Sequence, residues 1–421
     1  MTDLNFLPSS PGRNRLAVLL LGALGLTAAG FFFIGKIPPR QLSVISTAIT
    51  TPTPVLWTIE SKIAEAHQLL ADVKLKVGTQ DISYTEDRIS QDPATGQTTV
   101  TTRTFKEPEK EIALAALDTK TGETSIIRII KRGADLIAPD GWNISILERP
   151  NGIRWNSWNT AYRVEKPDNK IIIANVYPDR DTPSSDIDYY FYSPYSPDIH
   201  TPDLITAGTQ YLHSVVAQAF ADLTAADVPS AAVSGSSVAA VWQPHTEFFE
   251  HIPYLEQTDL TEFMIDPQST VDRINVIIGA NQSLAFANTC NSSSACGWVQ
   301  FTPQTYKQIV KQYPKANLIK DFTEGAKDHL NSMKAAILLY DTNLTSLIAA
   351  NGQSVLKDPR LEEYLAASYN GSPTRAHKSL AAAIIGGIQD WINALTSKKG
   401  GLANETKGYL VKLRWLQEHG N

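Results

Sequence analysis

The residues whose types suit acid–base chemistry lie after about Thr246. Gln282-Ser283 is followed, fifteen residues after Gln282, by Gly297-Trp298-Val299-Gln300-Phe301-Thr302-Pro303. Upstream, Glu256 and Glu262 are carboxylates that can reach a cleft from an earlier helix. Glu262 has a competing reading as a solvated helix-start residue, since it falls three residues after Asp259, as in a capping box. Glu324 and Asp328 fall on a predicted surface face, and Glu405 suits a helix cap better than an acid. His329 and His377 are candidate bases, yet neither has a nucleophile or metal ligand paired with it, so a surface role is expected.

These side chains need elements to aim them. From Val271 to Ser283 the residues Ile274, Ile277 and Ile278 recur at helical spacing, predicting a helix that ends near Gln282. A polar loop, Asn288 to Ala295, follows. Gly297 permits a tight backbone path, Trp298 and Phe301 can anchor the turn, and Thr302-Pro303 starts another helix, proline being suited to a first turn. A helix end that faces a loop and a second helix start makes a cleft.

The stretch from about Thr246 to Trp415 resembles the lysozyme-like lytic transglycosylases, which cut peptidoglycan glycan strands, in four places. Gln282-Ser283 matches that family's Glu-Ser, and Gly297-Trp298-Val299-Gln300 its Gly-Leu-Met-Gln. Ala367-Ser368-Tyr369-Asn370-Gly371-Ser372-Pro373 is similar to Ala-Tyr-Asn-Ala-Gly-Pro, and Glu405-Thr406-Lys407-Gly408-Tyr409-Leu410 to Glu-Thr-Arg-x-Tyr-Val. A helix predicted over Ala326 to Leu347 separates the second from the third. The resemblance implies an all-α lysozyme-like domain over 246–421, with sugar binding by Ser283, Gln300, Tyr369, Asn370 and Tyr409. It also implies one Glu that protonates the glycosidic oxygen and then helps the muramic acid 6-hydroxyl attack, leaving a 1,6-anhydro end.

Gln282 departs from that pattern. An amide has no proton acidic enough to assist a leaving alkoxide, and loss of general-acid help costs about 10²–10⁴-fold. The leading expectation is therefore a domain that binds peptidoglycan strands with weak or lost cleavage. One alternative is an active enzyme using another carboxylate, Glu262 or Glu256. Another is a non-enzymatic envelope assembly protein that works through the region before Thr246.

Composition and the remaining segments set the context. The chain has 421 residues and a net charge of −6, enough length for two or three domains and no basic stripe for nucleic acid. The run Leu16 to Gly35 carries no charged residue and is about 30 Å long as a helix, enough to cross a bilayer core. It predicts a membrane anchor at 16–35 behind a cytoplasmic tail at 1–15. A cleaved signal peptide competes, through Thr27-Ala28-Ala29, but the apolar run continues through Phe31-Phe32-Phe33-Ile34. Cys290 and Cys296, the only cysteines, can close a small ring in an oxidising compartment, contributing about 2–3 kcal/mol on the chain-entropy model. Zinc would need two further ligands, and no His is near in sequence. A disulfide and an extracytoplasmic bulk are thus preferred, with no cofactor or metal expected.

Pro38-Pro39 and Thr50-Thr51-Pro52-Thr53-Pro54 read as a linker over 36–56. Ile59, Ile63, Ala66, Leu70 and Val73 predict an amphipathic helix within Trp57 to Val77. Between Asp81 and Tyr195 the period becomes two, with turns at Asp118-Thr119-Lys120-Thr121-Gly122, Pro150-Asn151-Gly152 and Lys166-Pro167-Asp168-Asn169. This predicts an antiparallel β domain within 57–223, where Trp142, Trp155 and Trp158 are better read as core than as a sugar-stacking surface. Leu204 to Leu223 is helical in pattern, and the Ala/Ser/Gly-rich 224–245 reads as a flexible linker. The expected fold class is multi-domain α+β: a transmembrane helix, an antiparallel β-rich middle and an all-α C-terminal domain. An envelope protein is the expected partner of the β-rich part.

Overall fold

A computed structural model describes residues 57–420 apart from 92–96, 133–134, 149–157 and 180–186. The expected tail 1–15, anchor 16–35 and linker 36–56 lie outside the described residues, as do the turn at Pro150-Asn151-Gly152 and Trp155. Among the described residues no helix is long and apolar enough to cross a membrane.

Helix α1 (Ile59–Ala71) starts at Thr58, whose hydroxyl accepts from the Ser61 amide while the Ser61 hydroxyl returns to the Thr58 amide, a reciprocal cap. Its Ile63, Ala66 and Leu70 are buried, as the helical spacing predicts. They pack on an antiparallel sheet of β1 (Val77–Gln91), β2 (Thr98–Asp118), β3 (Thr124–Arg132), β4 (Asp135–Ile137), β7 (Lys170–Asp179) and β8 (Asp188–Tyr192), while β5 (Asn143–Ile146) and β6 (Tyr162–Lys166) form a separate two-stranded sheet. The sheet order is β4-β3-β2-β7-β8. β2 is the longest strand: Thr98 to Lys110 pairs with β1, and from Lys110 on it runs between β3 and β7.

The period of two is visible in β2. Ala113, Ala115 and Leu117 join α1 in one buried cluster, and Ile112, Leu114 and Ala116 enter another on the opposite face. Small alanines on the first face let α1 approach closely. Trp158 is 8% exposed, stacks on Tyr190 at 6.0 Å and meets Tyr192 edge-on at 4.8 Å, so it belongs to the core.

The C-terminal region is helical: α2 (Pro202–Ala225), α3 (Val238–Trp242), α4 (Thr246–Gln257), α5 (Leu260–Ile265), α6 (Pro267–Asn281), α7 (Pro303–Gln312), α8 (Phe322–Lys327), α9 (His329–Asn351), α10 (Leu361–Asn370), α11 (Pro373–Gly386) and α12 (Asn404–His419). α9 runs through its core, burying Met333, Ala336, Ile337, Tyr340, Leu344 and Leu347. α2 belongs to this packing as well as to the β region, because Gly208 and Gly279 let it lie directly on α6: a Cβ on Gly208 would collide with the Asn275 carbonyl, and one on Gly279 with that of Leu204.

The expected flexible linker at 224–245 is instead packed into the fold. Val228, Val238, Ala239 and Trp242 are buried, and the buried Asp341 of α9 accepts from the Ser230 hydroxyl at 2.6 Å and the Ala231 amide at 2.7 Å. Small side chains here allow close approach, and one buried carboxylate satisfies the loop's donors.

Candidate functional site

α4 buries Phe248, Phe249, Ile252, Tyr254 and Leu255, and this apolar stripe carries Glu256 to the helix's last turn. The side chain is partly buried there and accepts a hydrogen bond from the Tyr409 hydroxyl of α12 at 2.8 Å. Burial pushes its carboxyl up to about 7, and Glu405 adds to the rise, while the Tyr409 bond and the Lys412 charge pull the other way. The carbonyl end of a helix is also unfavourable to negative charge.

Three of the four motifs meet around this group. Gln257, next to Glu256, donates through Nε2 to the carbonyls of Gly297 at 3.1 Å and Trp298 at 2.9 Å. The Tyr369 hydroxyl donates to the Val299 carbonyl at 2.6 Å, and its ring stacks on Tyr340 at 5.0 Å. The phenols of Tyr340, Tyr369 and Tyr409 are all driven well above the ordinary tyrosine range, by burial first and by the Glu256 charge next. All three rings therefore share one environment with Glu256.

The turn of the second motif is held from several sides. Gly297 sits at φ 79° against the Ala326 carbonyl, which a Cβ would strike. Gln300 adopts φ 52° and donates through Nε2 to the Gly297 carbonyl at 2.7 Å. Cys296 and Phe301 exchange backbone bonds of 2.9 and 3.1 Å. Trp298 stacks on His329 at 4.0 Å and donates to the Ser332 hydroxyl at 2.8 Å. Cys290 and Cys296 form a disulfide that closes the loop before this turn.

The first motif is placed differently. α6 ends at Asn281, and Gln282 is its C-cap at φ 47°, with Gln282 and Ser283 both exposed. Gln282 bonds through its backbone, to Ile278 and Ala285. Among the described residues no hydrogen bond joins it to Glu256, Tyr369 or Tyr409. Buried Asn281 beside it bonds instead to Ser193 at the end of β8, through Oδ1 at 2.8 Å and Nδ2 at 2.9 Å.

Glu262 is committed elsewhere, in a side-chain ion pair with Arg273 of α6, whose side chain is 5% exposed. Asp259 caps α5 as the spacing predicts, accepting from the amides of Thr261 and Glu262. Asn370 ends α10 with a buried Oδ1 that has no hydrogen-bond partner among the described residues. His329 lies in the core, its Nε2 2.7 Å from the Ala285 carbonyl, and burial lowers it to about 4. His377 is partly buried and also lowered by burial. Among the described residues no cluster of His, Cys, Asp and Glu is arranged to hold a metal.

Sequence reasoning missed Gln257, Tyr340 and Lys412. For Lys412 a signal existed, since it falls one helical turn after Tyr409. A carboxyl that keeps its proton near neutral pH, bonded to a phenol at a helix end, can act as a general acid. No family model, no curated protein and no solved structure matches the chain.

Proposed function

We propose that the helical region is a lytic-transglycosylase-like module that cleaves peptidoglycan strands, with Glu256 rather than Gln282 or Glu262 as general acid. The observation that carries this reading is the convergence on Glu256 of Tyr409 from the fourth motif, of Tyr369 from the third, and of the second-motif turn through Gln257. Protonated Glu256 gives its proton to the glycosidic oxygen as the bond to C1 breaks. The resulting carboxylate then takes the proton of the muramic acid 6-hydroxyl as that oxygen bonds to C1, closing the 1,6-anhydro ring and restoring the acid. Gln300, Tyr369, Asn370 and Tyr409 would orient the sugar. The Cys290–Cys296 disulfide and the apolar run at 16–35 favour a membrane-anchored protein working on the wall side, where an oxidising milieu keeps the loop closed.

The test uses the full-length chain on purified peptidoglycan. Native protein releases anhydro-muropeptides at a rate that falls as pH rises through about 7, where Glu256 loses its proton. Glu256→Gln lowers release by about 10²–10⁴-fold, whereas Gln282→Glu leaves it within a small factor of native. Undiminished release by Glu256→Gln would overturn the assignment. Binding of sacculi without release by the native protein would instead favour a module that only holds glycan.

A further inference from the structure

The end of α4 is closed by a side chain from another helix. The Lys412 ammonium, in a residue 5% exposed, donates to the Leu255 carbonyl at 2.5 Å, the Thr258 carbonyl at 2.9 Å and the Thr258 hydroxyl at 3.1 Å. Its three donors are thereby all used. The last carbonyls of a helix lack partners within it, and a cation there meets both these groups and the negative end of the dipole. Burying a lysine is costly unless its charge is compensated, and an uncharged cap would have closed the helix at lower cost. Lys412 follows Tyr409 by one turn of α12. One stretch of helix thus supplies both the phenol that bonds Glu256 and the ammonium that fixes the helix bearing it.

We propose that Lys412 is the positioning residue for Glu256: it locks the end of α4 against α12, so that the carboxyl and Tyr409 stay bonded, and it supplies the buried positive charge opposite the carboxylate. Its part in catalysis rests on reading Glu256 as the acid, but the geometry does not. Tyr409 of α12 is the group in contact with Glu256; the charges of Lys412 and Glu405 from α12 act on its carboxyl, its own charge acts on Tyr340 of α9 and Tyr369 of α10, and Asp259 at the start of α5 acts on Lys412. Lys412 is the one cation among these described groups. Without it, burial and Glu405 act on the carboxyl opposed only by the Tyr409 bond, and two backbone carbonyls lose their donor.

The experiment compares the full-length native chain with Lys412→Met, which removes donor and charge, and Lys412→Gln, which keeps a donor. The Glu256 carboxyl is titrated by carbon-13 NMR of glutamate-labelled protein, Glu256→Gln identifying its resonance, and rate–pH profiles on peptidoglycan are recorded in parallel. Lys412→Met is expected to raise the Glu256 midpoint by about one pH unit or more and to carry the basic limb of the rate profile up with it. Its kcat falls about 10-fold with KM little changed, as for a misplaced acid. Lys412→Gln recovers part of kcat but not the midpoint. Should the methionine variant not fold, the glutamine variant decides through its midpoint. A midpoint equal to native in the variant that folds overturns the proposal. If the native chain cleaves no glycan, the titration still decides whether Lys412 sets the Glu256 midpoint, so that failure is seen separately from failure of the acid assignment.

Discussion

Two carboxylates six positions apart meet opposite fates. Glu262 is paired with the Arg273 guanidinium, and a carboxylate held by a cation is a poor proton donor. Glu256 has a phenol as its direct partner and keeps its proton to higher pH. Breaking one side of a buried ion pair leaves an uncompensated charge, so Glu262→Gln should destabilise the protein by about 3–5 kcal/mol. Urea unfolding measures this, and the folded fraction should cleave glycan at the native rate. A variant as stable as native but inactive would return Glu262 to the catalytic role. The sequence showed Gln300, Tyr369 and Tyr409 as one group because their motifs are local strings. The Glu-Ser resemblance put Gln282 at the acid's position and left Glu256 as an alternative, because the bond from Tyr409 to Glu256 spans 153 residues and no local pattern encodes that pairing.

Elements with strong periodicity were legible and elements held by tertiary contacts were not. Ile274, Ile277 and Ile278 are buried as their spacing predicts, and α6 ends one residue before Gln282. The segment 224–245 is poor in large apolar side chains, so nothing local announced its burial. What orders it is Asp341 on α9 and the insertion of Trp242 beside Phe249 and Tyr340. The α2–α6 crossing is likewise specified by two glycines whose meaning depends on the opposite helix. In an open helix Gly→Ala stabilises by about 0.4–1 kcal/mol. At Gly208 the added methyl meets the Asn275 carbonyl, and overpacking of this kind costs about 1–3 kcal/mol. Denaturant melts of Gly208→Ala should therefore show a loss, and a gain would mean that the two helices can separate without penalty.

At the scale of the molecule, the sheet and the helices do not have separate interiors. Ile63 of α1, Ala113 and Val176 of the sheet, Leu204 of α2 and Val276 and Ala280 of α6 form one buried cluster. Polar contacts follow the same seam: His67 lies 2.9 Å from the Ser193 hydroxyl, and Asn281 bonds both backbone groups of Ser193. The β region is thus a support for the helices that carry Glu256 and the glycine turn. An excised fragment 246–421 would expose the α6 face that Leu204, Gly208 and the sheet cover. Burial of each large aliphatic side chain stabilises by about 1.5–3 kcal/mol, and domains have only about 5–15 kcal/mol to lose. Fragment 246–421 is therefore expected to melt without a cooperative transition, whereas 202–421, which restores α2, should regain one at a lower temperature than the full chain. Calorimetry on both fragments decides the matter: a cooperative melt of 246–421 close to that of the full chain would show that the helical region stands alone.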